Sequence, residues 1–247
     1  MTSVITTEYR VPDLNLFNFQ KCKTAAKKVG YGFLLMEKTI TALEAQKRSP
    51  DRINVFLDGE FAFGISRYVG VWLSVGQKID EIKTKSLIYA DEKERALQAA
   101  LRYIGYKQRT EAEVVKKLEQ LRFPSEIITP LMIELRDKHY VDDKEFASQW
   151  IEVRGESKPR GKSLFQFELR KKGISADIIK AAIENIPDEF EMATRLGKKY
   201  LKKFSSINDN EFCKKMTGIL SRRAFQYPVV KETLYELIRI RNEEIEE

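Results

Sequence analysis

Apolar residues recur along the second half of this chain in a pattern that repeats. Leu118, Leu169 and Leu220 stand at equal intervals of 51 residues, and each is followed by apolar residues at the same offsets. After the first come Phe123, Ile127, Ile128, Met132 and Leu135; after the second, Ile174, Ile178, Ile179, Ile183 and Ile186; after the third, Phe225, Val229, Val230, Leu234 and Leu237. The steps of three and four inside each set are helical. Self-similarity at about 50 residues marks a tandem array of supersecondary units, an architecture suited to binding an extended partner.

Helix starts are read from capping boxes, in which a short polar side chain and a Glu three residues on satisfy free backbone donors reciprocally. They are expected at Asp91/Glu94, Thr110/Glu113, Asp142/Glu145, Asp188/Glu191 and Asn208/Glu211. Third helices begin at the breaks Pro124, Ser175 and Pro228, because Pro fits a first helical turn. Pro130 lies deeper and is expected to kink its helix or shift its start. Three consecutive three-helix units follow, over 91–140, 141–187 and 188–247. In each, a tight turn after the anchor Leu reverses the chain. Gly173 supplies it in the middle unit, where a left-handed residue costs least. Arg122 and Ala224 take the equivalent places, and those turns are expected to be more strained or differently shaped.

Before residue 91 the period changes. Over 36–90 the pattern is β: Ile53–Leu57 and Glu60–Ile65 flank Asp58-Gly59, the strongest short hairpin signal. Ile40, Ala42 and Ala45 mark a third strand. Phe61, Phe63 and Ile65 alternate with smaller or polar residues and are expected on one buried face. Val69, Trp72 and Leu73, on a short helix, are expected to cover the strands. Residues 1–35 follow neither period. They read as an extension, with the functional protein expected to begin near Met36. The fold class is therefore mainly α: three tandem three-helix repeats forming an elongated curved array, preceded by a small β segment.

Charge sharpens this picture. The net charge of +7 lies wholly within residues 152–223, which hold 17 Lys or Arg against 10 Asp or Glu. Such an excess favours an acidic partner, nucleic acid or an acidic protein groove, against the plainer reading of solvated helix faces. Cys22 and Cys213 have no CxxC spacing and read as inert thiols of a reduced, cytoplasmic protein. No run of about 18 apolar residues appears, so no membrane span is expected.

Catalytic signals are scarce. His139 is the only histidine, and at a unit junction it reads as a helix-end residue. Asp142, Asp143 and Glu145 could be drawn as a metal-binding cluster, but at a helix start they read first as caps. There is no GxxxxGK[ST] loop and no GxSxG elbow. No enzyme activity, cofactor or metal is expected. The candidate partner-binding residues are the basic clusters. Arg154, Lys158, Arg160 and Lys162 surround Pro159 and Gly161 in a loop. Arg170, Lys171 and Lys172 end a helix, and Arg222 and Arg223 repeat the positions of Lys171 and Lys172 one period later. Lys198, Lys199, Lys202 and Lys203 add charge in the last unit. Part of this needs no ligand, since a cation at a helix C-terminus gains about 0.3–1 kcal/mol from the dipole. Replacing Arg154, Arg160 and Lys162 with Ala is expected to leave helical content intact.

The stretch His139–Ala147 with Trp150 and Arg154 resembles the central signature of the RecX family of recombination regulators. So does Lys158–Gly161 with Glu168-Leu169-Arg170-Lys171-Lys172-Gly173-Ile174. Leu220–Phe225 is similar to the matching motif of the last repeat, departing at Ala224 where Gly is usual; Arg122 departs likewise in the first. The resemblance runs from about residue 37 to the end. It implies a non-enzymatic modulator that lies in the groove of the RecA–DNA filament, near its single-stranded DNA; an elongated monomer is the default expectation. In that groove such proteins limit filament growth and depress its ATPase, strand-exchange and coprotease activities, part of the regulation of DNA repair and the SOS response. Phe146, Trp150 and Tyr140 are then expected to be core residues setting the angle between units. The rival reading is a module that binds single- or double-stranded DNA directly.

Overall fold

The computed structural model describes residues 37–157, 159–186 and 188–246. The proposed start near Met36, Cys22 and the whole 1–35 extension fall outside them, as does Lys158. The chain divides between Ser86 and Leu87 into a β unit and a helical unit, and each is taken by itself.

In the β unit, β1 (Lys38–Gln46), β2 (Ser49–Leu57), β3 (Glu60–Ser66) and β4 (Lys78–Ile79) form one antiparallel sheet in the order β3-β2-β1-β4. The turn between β2 and β3 puts Asp58 and Gly59 at φ 51° and 87°, as a two-residue turn matching strand twist requires. Asp58 Oδ1 also accepts the Thr39 amide at 2.9 Å, tying the turn to β1.

Ile40, Ile53, Val55, Leu57, Phe63 and Ile65 share the buried face. Phe61 does not: it is 60% exposed. The register steps from Val55↔Phe63 to Phe56↔Phe61, leaving Ala62 unpaired. That bulge reverses the parity of alternation, so Phe61 stands edge-on to Phe56 on the other face, 5.9 Å between centroids. Cover comes from α1 (Arg67–Gly70) and buried Leu73, with Gly70 so close to Ile53 and Ile65 that a Cβ would meet the Ile53 side chain at 2.7 Å. Trp72 is not part of this cover. It is exposed under the Lys83 ammonium, 4.1 Å from the ring centroid.

The helical architecture expected from the 51-residue period is present. The first triplet is α2 (Glu81–Gly105), α3 (Glu111–Gln120) and α4 (Ser125–Asp137). The second is α5 (Asp143–Ser157), α6 (Lys162–Lys171) and α7 (Ala176–Glu184); the third is α8 (Glu189–Leu201), α9 (Asp209–Arg222) and α10 (Tyr227–Glu246). A 3-10 turn, Lys202–Phe204, extends α8. Thr110 and Glu113 make a full capping box on α3. Asp142, Asp188 and Asn208 each accept amides of the following turn. The box expected at Asp91 is absent, because Asp91 is buried inside α2, which begins ten residues earlier with the Asp80 carboxylate on the Lys83 amide at 2.7 Å. Pro130 does not shift the start of α4. The Glu126 carbonyl, which loses its helical donor to the proline ring, accepts the Tyr89 hydroxyl at 3.3 Å instead.

The period itself is explained by the turns. Arg122, Gly173 and Ala224 are all left-handed, with φ 66°, 83° and 59°. Each amide bonds three residues back, to Glu119, Arg170 and Ser221, and the next bonds to Leu118, Leu169 and Leu220 respectively. This is the Schellman termination, which brings the residue after the turn onto the anchor Leu; all three anchors are fully buried. The outer two turns are not differently shaped. They hold the same geometry without glycine, at a strain of about 1 kcal/mol each. The cores are less evenly divided than the triplets: Leu118 and its neighbours form one cluster, while the second and third triplets share another, from Phe146 to Leu237.

Candidate partner-binding surface

Successive triplets meet through a joint that is itself repeated. At the first, the Thr110 hydroxyl donates to the Lys172 carbonyl at 2.7 Å, and the Glu111 amide donates to Asp143 Oδ1 at 2.9 Å. At the second, 51 residues on, the Gly161 amide donates to the Arg223 carbonyl at 2.8 Å, and the Lys162 amide to Glu189 Oε1 at 2.7 Å. In both, the start of one triplet's middle helix rests on the left-handed turn of the next. A carboxylate from the next triplet's first helix satisfies an orphan amide there.

Each joint needs one glycine for closeness, on opposite sides. A Cβ on Gly173 would lie 2.3 Å from the Ala112 Cβ, and one on Gly161 would lie 2.1 Å from the Ala224 carbonyl oxygen.

The joints decide which basic residues face outward. Lys172 turns into the first joint, its ammonium 2.5 Å from Glu113 and 5.1 Å from the Trp150 ring centroid. Arg223 turns into the second, toward the Pro159 carbonyl at 3.5 Å. Their neighbours Lys171 and Arg222 are exposed, as is Arg170. Arg160 is buried and ion-paired with Glu168. The same carboxylate accepts the Trp150 indole N–H at 2.9 Å and faces Arg154 at 3.4 Å, whose guanidinium lies 3.8 Å over the Trp150 ring. Arg160 and Arg154 therefore fasten α5 and the loop to α6, so truncating them removes contacts of the fold itself. Lys162, half-exposed, opens α6 with its amide on Glu189.

Phe146 is buried and stacks on Trp150 at 5.5 Å, within the core as expected. Tyr140 is 48% exposed and is not core. It follows His139, whose φ of 56° ends α4, and its amide bonds the Leu135 carbonyl.

The acidic trio serves the helix ends. Asp142 Oδ1 accepts the Lys144 and Glu145 amides at 2.8 and 3.0 Å, and Asp143 is occupied at the first joint. Burial pushes the Asp143 carboxyl above its ordinary range, partly offset by the Glu111 amide. For Glu113 burial acts upward too, but its bonds to Lys172 and the Thr110 amide outweigh it and hold the carboxyl low. Burial and nearby Asp209 push the Cys213 thiol up, partly offset by Arg241, and the net rise lowers its share of the nucleophilic thiolate. Among the described residues no group of three or more His, Cys, Asp or Glu could hold a metal ion, and no helix is long and apolar enough to cross a membrane.

Glu168 entered the sequence reading only as part of a motif, with no role of its own, and Glu189 and Phe167 escaped it. For Phe167 a signal existed: Phe165 and Leu169 share the buried face of α6, which leaves residue 167 on the opposite side. It is 63% exposed.

Comparison with known proteins agrees with this organisation. The family model described as the regulatory protein RecX N-terminal domain matches residues 38–80, which is the sheet. Those for the first and second three-helix domains of RecX match residues 96–138 and 142–183. The regulatory protein RecX of Bacillus pumilus is 29% identical over 212 residues, covering 84% of this chain and 81% of its own. That of Bacillus subtilis is 28% identical, covering 80% and 76%. A crystal structure of regulatory protein RecX superposes with a TM-score of 0.62 at 28% identity, over 78% of this chain and 97% of that one. RecX from Lactobacillus salivarius gives 0.56 at 26% identity, over 60% and 97%. With the sheet and two helical triplets matched in order, each by its own model, this chain belongs to the RecX family of regulatory proteins.

Proposed function

We propose that this protein binds the RecA recombinase filament along its groove and restrains its growth, ATPase, strand exchange and coprotease activity. It does so as a monomer in the cytoplasm, without catalysis or cofactor. The observation that carries the reading is the repeated joint. Two successive joints pair the start of a middle helix with the next left-handed turn, Thr110 with Lys172 and, 51 residues on, Gly161 with Arg223, each completed by a carboxylate at the head of the next triplet's first helix, Asp143 or Glu189. A helical filament offers equivalent sites on neighbouring protomers, and several weak contacts made by one chain then act together. The outward cations Arg170, Lys171 and Arg222, with half-exposed Lys162, are the contact residues. Lys172, Arg160 and Arg223 support them from within. Lys158, which lies outside the described residues, is kept in the contact set on the resemblance of its motif alone.

The test is titration of the full chain into a RecA ATPase assay with single-stranded DNA. Substoichiometric inhibition supports the reading; an unchanged rate at saturating protein removes it. Binding to bare DNA through about four exposed cations would give log affinity against log salt a slope near −3. Tight DNA binding with that slope and no effect on RecA would favour the direct DNA-binding alternative.

A further inference from the structure

We infer that Phe167 is the apolar anchor of the partner contact, seated in an acidic-rimmed pocket on a protein surface with Arg170 and Lys171 bonding to the rim. The inference rests on the filament reading above and deepens it. The residues of α6 divide cleanly. Phe165 and Leu169 are fully buried, and Glu168, the one acid of the helix, turns into the Trp150–Arg154–Arg160 cluster. The exposed positions are Ser163, Phe167, Arg170 and Lys171. Phe167 is three and four residues from the two cations, so all three share one helix face, and no acidic side chain of α6 shares it.

The helix dipole accounts for Arg170 and Lys171 at the C-terminal turn, but it does nothing for a phenyl ring left in water. The other two triplets have no aromatic at this position: Lys116 and Gly218 stand there, one period either side. Aromatic residues, Phe among them, and Arg are enriched at interfaces relative to the rest of the surface, where a few residues carry most of the binding energy.

The charge of the face selects an acidic partner, and the single ring selects protein over nucleic acid. Stacking platforms for single strands line up aromatics for successive bases, whereas α6 exposes one.

The experiment is co-sedimentation of the full chain with RecA filaments on single-stranded DNA, alongside fluorescence anisotropy on the bare DNA. The variants are Phe167→Ala, Phe167→Leu and the double substitution Arg170→Glu with Lys171→Glu. Phe167→Ala is expected to weaken filament binding at least tenfold, Phe167→Leu by less than threefold, and the double variant at least tenfold at low salt, with a deficit that shrinks as salt rises and screens the charges. Binding to bare DNA is expected to be unchanged by Phe167→Ala. Wild-type binding with an equally tight Phe167→Ala variant would overturn this inference and leave the filament reading intact. Parallel loss of bare-DNA affinity in Phe167→Ala would overturn it in favour of base stacking. Failure of the wild type to co-sediment would remove the filament reading, and this inference with it.

Discussion

Gly161→Ala isolates the second joint better than any other single change. The backbone at Gly161 has φ −67° and ψ 155°, which any residue adopts. On conformational grounds alone, Ala would therefore stabilise the protein by about 0.4–1 kcal/mol, by restricting the unfolded chain. The neighbours reverse that sign. A Cβ would lie 2.1 Å from the Ala224 oxygen, 2.6 Å from its carbonyl carbon and 2.9 Å from the Phe225 nitrogen, all main-chain atoms of a structured turn that have no rotamer to escape into.

Relief requires the joint to open by about an ångström, which breaks the 2.8 Å bond from the Gly161 amide to Arg223 and strains the 2.9 Å bond from the Ser163 hydroxyl to the Ala224 carbonyl. An orphaned buried amide costs about 1–3 kcal/mol and a lost exposed bond about 1, so after the roughly 0.4–1 kcal/mol gained from the unfolded chain the net effect is about 1–3.5 kcal/mol of destabilisation. In urea this moves the unfolding midpoint down by about 0.5–1.5 M. Because a repeat array is held by nearest-neighbour terms, the transition should also broaden as the last triplet uncouples. A variant with the wild-type midpoint, or one slightly higher, would mean that the close approach does not hold the triplets together.

The remaining predictions concern the same joints and the cluster between them. Gly173→Ala should destabilise the first joint by about 2–4 kcal/mol, from left-handed strain together with the 2.3 Å approach to Ala112. Adding Ala112→Gly should recover the contact part but not the strain, read as a partial return of the urea midpoint. Glu168→Gln removes the carboxylate charge that Arg160 and Arg154 share and should cost about 3 kcal/mol by chemical denaturation. The triple change of Arg154, Arg160 and Lys162 to Ala should lower the melting temperature as well, so any loss of RecA inhibition in it must be compared at matched folded fraction.

The pH dependence has two signs at the first joint. The Glu113 carboxyl is held low, so its contribution is present above its unfolded pKa and lost as pH falls through the folded one. Glu113→Gln should flatten the acid limb of stability. The Asp143 carboxyl is held high, so its contribution is full below the unfolded pKa and lost as pH rises through the folded one. Asp143→Asn, which keeps the oxygen for the Glu111 amide, should match or exceed wild-type stability at neutral pH.

Much of the fold was legible because local chemistry and tertiary demand coincide. The anchor Leu residues, the Asp58-Gly59 turn and the Thr110/Glu113 box each state a local backbone geometry that the whole structure then uses. The misreadings fall where a neighbour overrides the local pattern. Asp91 and Glu94 have the spacing of a cap, but Asp80 starts the same helix eleven residues earlier and leaves Asp91 inside it. Phe61 follows the alternation of its strand until a single bulged residue turns it over. Arg122 and Ala224 occupy left-handed positions without glycine because the anchor Leu and the residue after the turn are both held by the core.

The binding face was harder to read for a physical reason. A cation in sequence carries no mark of whether it meets solvent or an acid, and the same period that aligned Lys171-Lys172 with Arg222-Arg223 hid their division of labour. In each pair the second residue serves the joint and the first is exposed. The joint lies between residues about 60 apart in sequence, as with Lys172 and Glu113 or Arg223 and Pro159, so no local window contains both partners. Only after those long-range pairs are subtracted does the outward set shrink to Arg170, Lys171 and Arg222. Then the one exposed aromatic of α6 stands out as a residue that no contact in the helix explains. Phe167 carries no charge and belongs to no capping or turn motif, so a search for motifs passes over it. Its significance comes from the inward placement of Phe165, Glu168 and Leu169, which uses up the other reasons for an apolar residue on this helix.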